Sequence, residues 1–165
     1  MKKTLVIIST LFIFFFTLVV KPNVVMAEST NDEVLVSEET VYEDDGSYTV
    51  TVIYQTVINK NTRTNVYQTS GKKLVTKYSA VNTVLWEYTL HAGFTVYEGD
   101  YAAGISAFYY TDINSSSWKF SDGNATYQSN YARGVGVFKF SPLSVTLQTV
   151  NIDIYMYCDE YGNIS

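Results

Sequence analysis

The chain has 165 residues, enough for one domain with a core of its own, and a formal net charge of −5 from 16 acidic against 11 basic side chains. A chain so short of cations lacks the basic footprint that a phosphate backbone requires, which excludes nucleic acid as a partner. A single histidine and a single cysteine exclude a His/Cys metal set and an intramolecular disulfide, and no sequence motif calls for a cofactor.

Met1 to Ala27 reads as a signal peptide. Lys2 and Lys3 precede LVIISTLFIFFFTLVV, an uncharged apolar core, and Val25 and Ala27 meet the small-residue rule for cleavage after Ala27. That core falls short of the roughly 20 residues a membrane span needs, so the membrane enters only before cleavage. The expected destination is secretion or the cell envelope.

Residues 28–45, ESTNDEVLVSEETVYEDD, hold eight of the 16 carboxylates and no Lys or Arg. The stretch reads as an acidic, flexible lead, because it lacks the alternating ligand spacing and central glycine of a calcium loop. The domain is expected over 46–165, a body neutral overall.

From Ser47 onward the apolar residues alternate. SYTVTVIYQTVI places Tyr48, Val50, Val52 and Tyr54 on one face of a strand. TRTNVYQTSGKKLVTKYSAVN reads as two polar strands joined at Ser70-Gly71-Lys72, its lysines guarding an edge. In TVLWEYTLHAGFTVY, Val84, Trp86, Tyr88, Leu90, Ala92, Phe94 and Val96 keep one phase. The spacing predicts one long strand, or two bent near Gly93, with the Trp86 face in the core.

Glu98-Gly99-Asp100 supplies a turn before Tyr101 to Tyr110. Asp122-Gly123 suggests a tight hairpin after a short Trp118–Phe120 strand. Thr126–Tyr131 and Gly134–Phe140 follow as a pair, and Gly134 and Gly136 leave room for a large side chain, with Trp118 the obvious occupant. In LSVTLQTVNIDIYMYC the phase of Val145 and Leu147 opposes that of Val150 to Cys158, so a bulge or turn is expected near Gln148-Thr149.

Eight to ten short strands without a useful helix predict an all-β fold, an antiparallel β-sandwich of immunoglobulin-like or jelly-roll-like type, with a barrel as the alternative. Trp86, Trp118 and Cys158 are expected in its core. Cys158 reads as a small buried hydrophobe or, at an exposed strand end, a thiol pairing between chains.

Three functional classes stay open. Tyrosine is abundant, with 15 in the chain, too many for one core. Exposed rows, with Tyr97, Tyr155 and Tyr157 foremost, suit a carbohydrate-binding surface that stacks on sugar rings. A non-catalytic surface interaction at or outside the envelope, with a protein or a cell-wall polysaccharide, is the broader expectation. A hydrolase using Glu87 and Asp153, or His91 in a solvent-facing row with Glu87 and Thr89, is the third.

Taken together, LWEYTLHAGFTVYEGD, WKF, YARGVGVFKF and the closing Cys158, Gly162 and Ser165 resemble a group of small uncharacterised exported proteins of Gram-positive anaerobes. The resemblance spans roughly residues 80–165. Trp86 matches that group's leading core tryptophan and Trp118-Lys119 its Trp-Lys pair. The group often carries a second cysteine where this chain has Ala103-Gly104-Ile105. The resemblance therefore implies that Cys158 is the remaining half of a lost pair.

Overall fold

The computed structural model describes residues 33–56 and 65–165; the signal-peptide reading lies outside them. Eight strands follow in chain order: β1 (Glu33–Tyr42), β2 (Tyr48–Thr56), β3 (Val66–Tyr78), β4 (Val84–Tyr97), β5 (Tyr101–Ile113), β6 (Trp118–Gln128), β7 (Tyr131–Phe140) and β8 (Gln148–Tyr157). β1 to β5 form one antiparallel sheet in sequence order, and β6 to β8 form a second that packs against it. Within each sheet the strands pair in sequence order, and the chain passes from one sheet to the other between β5 and β6, so this β-sandwich is built of two meanders and lacks the Greek-key crossings of immunoglobulin-like and jelly-roll folds. It is not a closed barrel.

β4 organises the core. Trp86, Tyr88, Leu90, Ala92, Phe94 and Val96 are all at most 3% exposed, and β4 runs unbroken past Gly93 because the extra residue, Ile105, bulges on β5 instead. Each large apolar side chain so buried contributes about 1.5–3 kcal/mol. The Trp86 ring stacks on Phe138 of β7 at 4.0 Å and meets Trp118 edge-on at 6.0 Å.

Tyr88, and not Trp118, fills the space over Gly134 and Gly136. A Cβ at Gly134 would lie 2.8 Å from the Tyr88 hydroxyl, and one at Gly136 would lie 3.0 Å from its ring. The Tyr88 hydroxyl donates to the Val135 carbonyl at 3.1 Å, and burial, with Tyr109 nearby, pushes its pKa up to about 12. Two other glycines taken as turns also serve close packing. Gly71 lies inside the single long β3, under Met156 and Ile164, and Gly123 lies inside β6 against Phe120 and Tyr109. At Gly71 the adjoining sheet has claimed the space a side chain would need, and at Gly123 the ring of Phe120 on the same strand has, with Tyr109 of the other sheet beside it; sequence alone cannot separate either from a turn.

The acidic lead is not flexible over Glu33–Tyr42: this stretch pairs with β2 as the first strand, so the domain begins before residue 46. The phase change near Gln148 is absorbed earlier than expected, in a 3₁₀ turn at Pro142–Ser144 and the exposed stretch through Leu147, leaving β8 regular. Past β8 the chain doubles back. Cys158 bridges Ile164, and the Gln55 amide donates to the Gly162 carbonyl at 2.6 Å, tying the carboxy-terminal end to β2.

Replacing Gly134 by alanine drives a methyl group into Tyr88 and is expected to cost about 1–3 kcal/mol, read as a lower urea midpoint at unchanged m-value.

Candidate functional site

The register of β7 and β8 builds an aromatic cluster on the outer face of the three-stranded sheet. Ala132 and Met156 point into the core, so their neighbours Tyr131, Arg133, Tyr155 and Tyr157 point out. Tyr131 pairs with Tyr157, and Arg133 with Tyr155. The Tyr155 and Tyr157 rings are within 14° of parallel at 6.1 Å, with Tyr131 tilted 5.8 Å and 5.7 Å from them.

A charged fork borders these rings. Arg133 donates through Nε and Nη2 to the two carboxylate oxygens of Asp153 at 2.7 and 2.8 Å, and its guanidinium lies 5.5 Å from the Tyr155 ring centre. Hydrogen bonding to Asp153 raises the Arg133 pKa, and the same bonds hold the Asp153 carboxyl below its usual range. Both groups are exposed, so the pair orients side chains more than it stabilises the fold. From the opposite sheet, Lys73 Nζ donates to the Tyr155 carbonyl at 2.8 Å and fixes the backbone beneath the cluster.

Of the tyrosines singled out by sequence, Tyr155 and Tyr157 come together and Tyr97 does not join them. Tyr97 stacks on Tyr101 at 4.4 Å beside the β4–β5 turn, on the outer face of the five-stranded sheet. Tyr131 and Arg133 were missed, although the alternation of Tyr131, Ala132, Arg133 and Gly134 carries their outward phase.

The candidate acids are parted by the fold. Glu87 faces outward from β4, accepting a hydrogen bond from Thr76 at 3.1 Å, whereas Asp153 faces outward from β8 in the other sheet. Sheets pack about 10 Å apart with side chains between them, so these two share no cleft.

His91 shares the outward face of β4 with Glu87 and Thr89, each half-buried there. Its ring stacks on Phe108 at 4.9 Å and meets Tyr110 edge-on at 5.6 Å, bordering a depression of about 160 Å³ with Glu33, Lys72 and Ser106. Lys72 is paired with Glu33 at 2.6 Å. A larger cleft of about 280 Å³ opens at one end of the sandwich among Asp45, Lys77, Trp118 and Phe140. Lys77, 2% exposed, is held there by Glu43. No group of three or more metal-ligating side chains occurs among the described residues.

Trp86, Trp118 and Cys158 all lie in the core, Cys158 as a free thiol only 1% exposed. Burial, reinforced by the Asp159 charge, pushes the thiol up to about 12. Comparison with protein-family models, curated proteins and solved structures yields no match.

Two outcomes follow from these environments. At pH 8 Cys158 reacts with a thiol reagent at least about a hundredfold more slowly in the native protein than in urea, because both its ionisation and its access are blocked. An NMR titration of His91 has its midpoint below 6.5, because burial and the Lys72 charge outweigh the Glu33 attraction. Since the unfolded chain then takes up the proton first, this contribution to stability is complete above pH 6.5 and lost as the pH falls below it.

Proposed function

We propose that this protein is an exported, non-catalytic recognition module acting at or outside the cell envelope, and that it binds polysaccharide through the tyrosine cluster on β7 and β8. The observation that carries this reading is the assembly of Tyr131, Tyr155 and Tyr157 beside the Arg133–Asp153 fork on one outward face. Phenol rings offer wide, stiff, amphipathic contacts at low entropic cost, and sugar rings present apolar C–H faces that lie against them. The fork and the neighbouring Asn151 supply donors and acceptors for hydroxyl groups at the rim of such a contact.

The export part of the reading rests on the charge and hydropathy pattern of residues 1–27. Binding is favoured over hydrolysis because Glu87 and Asp153 stand on opposite outer faces and Cys158 is held protonated. A polar, outward-facing contact of this kind, with Tyr131 tilted beside the near-parallel Tyr155 and Tyr157, suits sugar rings better than a closed pocket would.

The test is co-sedimentation with Gram-positive sacculi and a set of insoluble polysaccharides. Saturable binding is expected, falling at least about tenfold in the Tyr155→Ala/Tyr157→Ala double variant, because stacking contacts of this size dominate small interfaces. Tyr97→Ala is expected to bind as the unaltered protein does. Equal binding by the double variant, with its melting temperature unchanged, overturns the assignment of the site.

A further inference from the structure

We infer that the free edge of β1 is a strand-addition site for an extended, basic segment of a partner protein. This site is separate from the tyrosine cluster and does not depend on the polysaccharide reading.

The argument begins with the mismatch between the sheets. Five strands face three, so β1 at the far edge extends past the cover, and every residue after Glu33 in it is exposed. β1 pairs only with β2 among the described residues, which leaves its other row of backbone N–H and C=O groups open. Ten residues is long for an edge, and natural proteins blunt such edges with lysine, proline or bulges. β1 has neither lysine nor proline, and its devices are the bulge at Val36 and the charges of Glu33, Glu38 and Glu39, which turn away an acidic strand and not a basic one.

Its side chains are adhesive as well. Val34, Leu35, Val36, Val41 and Tyr42 are 54%, 46%, 40%, 56% and 73% exposed, spread over both faces of the strand. An added strand would cover them pairwise while completing the backbone ladder, the combination by which extended peptides join sheet edges.

Charge selects the occupant. Glu33 and Glu43 are already paired, with Lys72 and Lys77, whereas Glu38 and Glu39 at the middle of the strand make no salt bridge among the described residues. A second copy of this strand would bring further carboxylates and no cation, setting like charges across the new ladder. Glu38 and Glu39 are successive and lie on opposite faces of the ladder, so a strand carrying Lys or Arg in pairs between pairs of β-branched residues meets both with opposite charge and covers the valines with apolar surface.

The experiment uses the full chain and a ten-residue peptide of lysine pairs alternating with valine pairs, which places lysine on both faces. The same peptide with one valine of each pair replaced by proline, which keeps the charge and cannot extend a ladder, serves as control. Hydrogen exchange is expected to show β1 amides protected by the first peptide and not by the second. Glu38→Lys/Glu39→Lys is expected to weaken binding at least about tenfold, as reversal of two facing charges does. The exchange measurement needs no variant, so it decides the matter even where the double variant folds poorly. Equal binding of both peptides without β1 protection overturns the proposal, as adsorption to an acidic surface. Protection of β1 in the protein alone, accompanied by dimer formation, also overturns it and assigns the edge to a second copy.

Discussion

The seating of Tyr88 on Gly134 and Gly136 is the contact on which the sandwich depends. A phenol ring rests where β7 has no side chains, and its hydroxyl reaches the backbone of the strand it covers. Glycine in a strand carries an entropic cost, and here close approach of the sheets offsets it. The stacking of Trp86 on Phe138 repeats the contact one step along β4. These two rings fix which residues of β7 point inward. By alternation they also fix that Tyr131 and Arg133 point out, beside Tyr155 and Tyr157.

The charged and amide side chains that reach the interior are committed to structure, whereas the buried Trp86 Nε1–H has no hydrogen-bond partner among the described residues. Lys73 spans from one sheet to a carbonyl of the other, Gln55 anchors the carboxy-terminal turn, and Lys77 is neutralised by Glu43. A buried cation without such a partner would cost several kcal/mol, so these contacts are conditions of folding. His91 sits between aromatic rings, and Cys158 is sealed from solvent. The reactive side chains of the chain are thereby spent on packing, and what faces outward is suited to contact.

Those outward faces differ in character. The three-stranded sheet presents tyrosines with a charged fork, whereas the overhanging β1 presents valines and glutamates along a ladder that no other described strand extends. The difference arises from the unequal widths of the two sheets. A second sheet of equal width would cover β1 and remove that surface.

Strict alternation was enough to read the class of fold and the burial of Trp86 and Cys158, because a half-buried strand writes its inward face into the sequence with period two, but it left β4 open between one long strand and two bent near Gly93. The same periodicity carried the outward phase of Tyr155 and Tyr157. Local pattern failed where a distant neighbour decided the outcome. Gly71 looks like a turn in sequence, but Met156 and Ile164 occupy its side-chain space, and the room at Gly134, which the sequence did show, is filled by Tyr88 and not by Trp118. The acidic stretch at Glu33–Tyr42 looked too charged to fold, and pairing with β2 overrode that preference by satisfying its backbone along one edge. Tyr97 was grouped with Tyr155 and Tyr157 on composition alone; the pairing of β4 with β5 in one sheet and of β7 with β8 in the other set them apart. Sequence by itself determined which residues of β4 and β8 turn inward, because that is a local alternation, whereas on β2 the apolar row of Tyr48, Val50 and Val52 packs as a separate cluster and Ile53 of the other row enters the core. The tertiary structure decided which of them meet, because sheet pairing joins residues that are far apart along the chain.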